Sequence, residues 1–157
     1  MSKNLRMQGW DFTSPGGYFV TICTKRMRPV FGTVVNGHMH LNDAGNVADA
    51  FWREIPEHFP NVTVDEHVVM PDHVHGLLHI PTASNGHNPT ARRGERRGGM
   101  EAFGKPVPGS IPTVIRSYKS AVSRALGQKF WHPRFYEVRA RDERAIANIR
   151  RYIRENP

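Results

Sequence analysis

A single cysteine, Cys23, is all the chain carries, which excludes a disulfide framework and any zinc site built from cysteines. It closes the apolar run YFVTIC and is expected to be a buried packing residue. Long hydrophobic runs are missing too. None approaches the roughly 20 residues that cross a bilayer, and the opening MSKNLRMQGW has no signal-peptide-like apolar stretch. A cytoplasmic protein that does not enter the membrane is expected. Acids are scarce, 14 against 22 Lys and Arg in 157 residues, for a formal charge of +8. The imbalance is local: residues 1–80 hold 6 Lys and Arg against 8 acids, residues 81–109 hold 5 against 2, and residues 110–157 hold 11 against 4. Such a basic half attracts phosphate backbones through counterion release, although a plain solvated face has the same composition. The length suits one domain, 1–157, with a single core.

Local patterns supply the elements. Tyr18 to Thr24 is β-branched and aromatic after the turn-forming SPGG and reads as a strand. Asn36-Gly37 is a two-residue hairpin signal between two further strands within Val30 to Leu41. Asn42 or Asp43 can cap a helix through Ala48, Phe51, Trp52 and Ile55 that ends near His58. Val62 to Met70 and Val74 to Ile80 read as strands either side of Pro71-Asp72. The stretch 81–109, rich in Gly, Pro and Arg, has no periodicity and reads as an exposed flexible loop. Ile111 to Leu126 repeats at helical spacing before the stop residue Gly127, and Asp142 can cap a last helix with Ala145, Ile146, Ile149 and Ile153 on one stripe. Hairpins mixed with helices indicate an α+β fold, an antiparallel sheet with helices on one face.

Histidine, by contrast, is plentiful, with nine copies. His73 and His75, two apart on a strand, project from one face and can grip one ion. His79 shares that parity but lies about 13 Å further along a regular strand. In so histidine-rich a chain the spacing can arise by chance, and His38-Met39-His40 is a second instance. On the last helix Asn148, Tyr152 and Asn156 lie one turn apart, which could bring a phenol and a ligating amide to one site. The same spacing suits an amphipathic tyrosine at the edge of the core.

The segment VVMPDHVHGLLHI resembles the His-hydrophobe-His motif of the HUH endonuclease superfamily, as found in REP-associated tyrosine transposases and their insertion-sequence relatives. GYFVTICT, VIRSYKSAVSR, FWHPRFYEVRARDERAIANI and RYIRENP recur in the family's order, so the resemblance spans nearly the whole chain. It implies a ferredoxin-like (RRM-like) fold, metal ligation by His73 and His75 with Asn156 as third ligand, and Tyr152 as nucleophile. The implied activity is single-strand DNA cleavage and strand transfer on hairpin-forming DNA, by a monomer or homodimer, through a 5′-phosphotyrosine intermediate with Mg²⁺ or Mn²⁺. Arg116, Lys119, Arg124, Arg134 and Arg139 are the candidate DNA contacts, with Phe135 or Tyr136 available for base stacking. Departures are Asp72, where relatives carry Asn or Glu, the long 81–109 segment, and an end at Pro157 where relatives continue. The alternatives are an inactive hairpin-binding relative and a hydrolase that uses water as nucleophile.

Overall fold

A computed structural model of the chain describes residues 15–81 and 110–156; the loop expected at 81–109 lies almost entirely outside them. The elements are β1 (Gly16–Cys23), a 3₁₀ turn (Lys25–Met27), β2 (Gly32–Val35), β3 (His38–Leu41), α1 (Asp43–Arg53), α2 (Ile55–His58), β4 (Thr63–Val69), β5 (His73–Ile80), α3 (Ile111–Leu126), β6 (Tyr136–Ala140) and α4 (Glu143–Arg154). Strands β4-β5-β1-β6 form one antiparallel sheet, while β2 and β3 pair separately across Asn36 and Gly37, both at positive φ as a tight hairpin turn requires. With that hairpin as an insertion and α4 as an addition, the order is the βαββαβ of a ferredoxin-like fold.

Asn42 and Asp142 are the caps, and Gly127 the stop, that the sequence signals, and Ser110 joins them at the start of α3. Asn42, Ser110 and Asp142 each accept a backbone N–H of the first turn, and Gly127 ends α3 in the left-handed region. The helix expected to run to His58 instead breaks at Glu54, because Pro56 has no N–H to continue it and fits only a new first turn.

The α+β class and antiparallel sheet are as expected, but the helices divide between the two faces. Tyr18, Val20, Ile22, Val74 and Leu78 pack under α1 and α3 with Trp52, Ile115 and Val122 in the main core. Phe19 and Leu77 project the other way and pack with Ile146, Ile149 and Ile153 of α4. Central strands that are apolar on both sides need cover on both. Cys23 belongs to this second face, opposite His73, and is half-buried rather than a core residue. Burial, and then the Asp72 charge, raise its thiol pKa. No helix among the described residues is long and apolar enough to cross a membrane.

Candidate active site

Strand parity places His73, His75, Leu77 and His79 on the α4 face of β5, and the β1 register sets Cys23 opposite His73 and Thr21 opposite His75. The His73 and His75 rings lie 4.5 Å apart between centroids. Each is held by its Nδ1: His73 to the Asp72 carboxylate at 2.6 Å, His75 to the Thr21 hydroxyl at 2.9 Å. An Nδ1–H given to a carboxylate or hydroxyl leaves the Nε2 lone pair available, the arrangement by which imidazoles are oriented towards a metal ion. Burial, then the neighbouring charge of His73, push His75 down to about 4, so it is a neutral base at physiological pH. His79 is committed elsewhere, to Asp65 at 2.8 Å. The second His-x-His pair, His38 and His40, lies on the separate hairpin.

Tyr152 reaches the same place from α4. Its ring lies 5.5 Å from that of His75, with about half of the residue exposed. Phe19 closes the triangle, stacked on His75 at 5.2 Å and edge-on to Tyr152 at 6.0 Å. A pair of imidazoles and a phenol thus share one side of the sheet, in one chain. Asn156, the expected third ligand, donates its amide nitrogen to the Tyr152 carbonyl at 2.8 Å, capping its own helix. Among the described residues no three His, Cys, Asp or Glu converge to hold a metal. Two imidazoles alone would leave most positions of a divalent ion such as Mg²⁺ or Mn²⁺ to an amide oxygen, water or a substrate phosphate.

A β-bulge sets the height of Tyr152 above the sheet. Between Val64 and His67 the β4 register shifts, and the two residues it frees, Asp65 and Glu66, both meet α4. Arg150 grips Asp65 with Nε at 3.0 Å and Nη2 at 2.6 Å, and Arg154 pairs with Glu66 at 3.3 Å, flanking Tyr152 on either side. Burial alone would raise the Asp65 carboxyl, but hydrogen bonds from Arg150, His79 and the Glu66 N–H outweigh it and hold the carboxyl at about 2. Its folded pKa is thus below the unfolded one, so the stability it contributes is present above about pH 4 and lost as pH falls through about 2. Asp65→Asn is expected to lower unfolding free energy by about 1–2 kcal/mol at neutral pH, screening included. Denaturation from pH 7 to 2 checks this. A difference from the parent that did not shrink with acid would show that Asp65 does not act through its charge.

Of the anticipated DNA contacts, Arg116, Lys119 and Arg124 ride on α3, across the sheet from the histidines. Lys119 Nζ donates to the His132 carbonyl at 2.8 Å, and burial followed by the Arg116 charge lowers it to about 8. Arg139 opposes Tyr18 on that same far side and reaches the Pro15 carbonyl. Arg134 precedes β6, bonded through its backbone N–H to His132. Phe135 packs against the main core, whereas Tyr136 lines a shallow pocket of about 200 Å³ on the histidine face with Phe19, Thr21 and Val138. Sequence reasoning missed Phe19, Thr21, Asp65 and the orienting role of Asp72. Only the adjacency of Asp72 to His73 offered a signal.

No family model matches the chain. It is 33% identical, over 99% of its length and 87% of the relative's, to an uncharacterized protein of Haemophilus influenzae. It is 26% identical to a second protein of that organism, provisionally named a REP-associated tyrosine transposase, over 94% of this chain and 73% of the relative. The solved structure of a REP-associated tyrosine transposase bound to a REP hairpin superposes with a TM-score of 0.65 at 18% identity, covering 100% of this chain and 73% of the other, and so shares the fold. In its ordered motifs, its fold and the paired histidines with a tyrosine beside them, the chain is similar to the REP-associated tyrosine transposases.

Proposed function

We propose that the chain cuts and rejoins single-stranded DNA at the foot of a hairpin, with Tyr152 as nucleophile. The observation that carries this reading is the placement of the Tyr152 ring 5.5 Å from His75, itself 4.5 Å from His73, on one open face. An H-x-H strand face and a tyrosine-bearing helix face have no structural need of each other, whereas a phosphoryl-transfer site requires both. The hairpin substrate follows the solved relative, which is bound to a REP hairpin.

His73 and His75 would hold a divalent ion, with Asp72 and Thr21 fixing their rings, and the Asn156 amide oxygen is the candidate third ligand. Such an ion supplies charge neutralisation at the non-bridging phosphate oxygens and at the departing oxygen. Everything else falls to the chain. Tyr152 Oη attacks the phosphorus and its proton leaves to water at the exposed end of the ring. The P–O3′ bond breaks, the 3′ oxygen takes a proton, and the 5′-phosphate stays on the tyrosine. Because one phosphodiester replaces another, a 3′-hydroxyl can reverse the step and rejoin the strand without ATP.

The test is a labelled hairpin with single-stranded flanks, incubated with protein and Mn²⁺ and run under denaturing conditions. A shifted, protease-sensitive band is expected. Cleavage without any covalent band would favour a hydrolase that uses water, and binding with neither would favour a hairpin-binding module. Metal is read separately: His75→Ala should weaken Mn²⁺ binding at least tenfold by titration calorimetry without DNA. Unaltered affinity would place the ion elsewhere.

A further inference from the structure

Three exposed cations, Lys25, Arg26 and Arg28, crowd the tip that follows β1, and their side chains make no ion pair or hydrogen bond among the described residues. The cations beside Tyr152 on α4 are committed: Arg150 and Arg154 are paired with carboxylates and Arg151 donates to Asn148. The tip is pinned at both ends to the turn that presents His73. On entry, Thr24 donates its N–H to the Asp72 carbonyl at 3.0 Å. On exit, Val30 and Phe31 donate theirs to the Pro71 carbonyl at 2.8 and 3.0 Å. The buried Thr24 hydroxyl lies 2.8 Å from the Arg28 carbonyl and 3.2 Å from that of Asp72, tying tip and turn together.

The backbone here is strained as well as anchored. Arg26 and Met27 are both left-handed, at φ 56° and 52°, a conformation that non-glycine residues keep only where the surroundings enforce it. The Phe130 carbonyl, accepting from Lys25 N–H, adds to that enforcement. The only carboxylate in the adjoining turn, Asp72, is engaged by His73. What results is a rigid, uncompensated positive knob one turn from the paired histidines.

We propose that Lys25, Arg26 and Arg28 form a clamp for the phosphate backbone of the single strand flanking the scissile position. The inference rests on the strand-cleaving reading above for the identity of its ligand, and on the free cations and their anchoring for its place. A phosphate beside His73 and His75 brings its chain neighbours to the ends of β1 and β5, where the tip stands. Guanidinium and ammonium groups bind such phosphates without reading sequence. The α3 cations lie on the opposite face and cannot serve the same strand without its crossing the sheet.

The experiment measures salt-dependent binding, without metal, of the full chain and of its Lys25→Gln/Arg26→Gln/Arg28→Gln variant to two probes. One probe is a hairpin carrying a single-stranded extension and the other is the same hairpin cut blunt. Each lost contact with single-stranded phosphate should flatten the plot of log affinity against log salt by about 0.7, so the triple variant should lose about 2 on the extended probe and nothing on the blunt one. An unchanged slope on the extended probe, or equal losses on both, would overturn the clamp. The side chains are exposed, so the melting temperature should hold. Should the triple variant fail to fold, Arg26→Gln and Arg28→Gln singly decide the matter at about 0.7 each, and Arg28→Lys should retain the parent slope. Binding and chemistry fail separately. A tail-specific loss in a protein that never forms a covalent adduct would sink the nuclease reading alone, while adduct formation with unaltered slopes would sink only the clamp.

Discussion

Tyr152→Phe is expected to abolish the covalent protein–DNA band while changing hairpin affinity less than twofold. The substitution removes one oxygen. It preserves the ring that packs edge-on to Phe19 and against His75, and α4 keeps its dock through Ile146, Ile153 and the Arg150–Asp65 pair. Because Tyr152 is about half exposed and its hydroxyl makes no hydrogen bond among the described residues, no buried hydrogen bond is lost and the melting temperature should stay within about a degree. The loss should therefore be one of chemistry alone. Single-turnover assays with Mn²⁺ would decide the point: an adduct from the phenylalanine variant would assign the nucleophile to another residue. Cleavage that continued without an adduct would identify water.

Gly76→Ala is expected to cost about 3 kcal/mol of stability and to disturb the paired histidines together with the fold. Gly76 follows His75 on β5 and points to the opposite face, where the Trp52 ring lies directly beneath it. A methyl group there would collide with Cζ2 of that ring. Trp52 has no room to retreat: it is fully buried, edge-on to Tyr118 at 5.2 Å and stacked on His67 at 6.1 Å. Glycine is required for its lack of a side chain, since its φ is not positive. The strand must lift to relieve the clash, and His75 lifts with it. Denaturant unfolding and Mn²⁺ titration of the variant should change together. A variant as stable as the parent would show that Trp52 does not pack under the strand.

What depends on neighbours close along the chain is legible in the residues themselves. A period of two placed His73 and His75 on one face, Asn36-Gly37 specified the hairpin, and Asn42 and Asp142 were available as caps. The interruption at Pro56 was legible in principle, because a missing N–H acts within one turn. The ordered motifs carried the resemblance to the transposases and, through it, the expectation for Tyr152.

Which face was covered, and by what, came from packing between elements distant along the chain. The run YFVTIC is apolar on both sides, so nothing local could say that Cys23 and Phe19 belong with the histidines while Tyr18, Val20 and Ile22 face the main core. Counting charge pointed to α3, yet a net charge carries no direction, and that helix lies across the sheet from the site. Asp65 and Arg150 stand 85 residues apart. Their pairing exists because a bulge in β4 turns two consecutive carboxylates towards α4, and no local spacing encodes that meeting. Propensity and parity act over a few residues, whereas the height of Tyr152, the tilt of the imidazoles and the freedom of the cations at 25–28 arise from contacts made only when distant strands find their register.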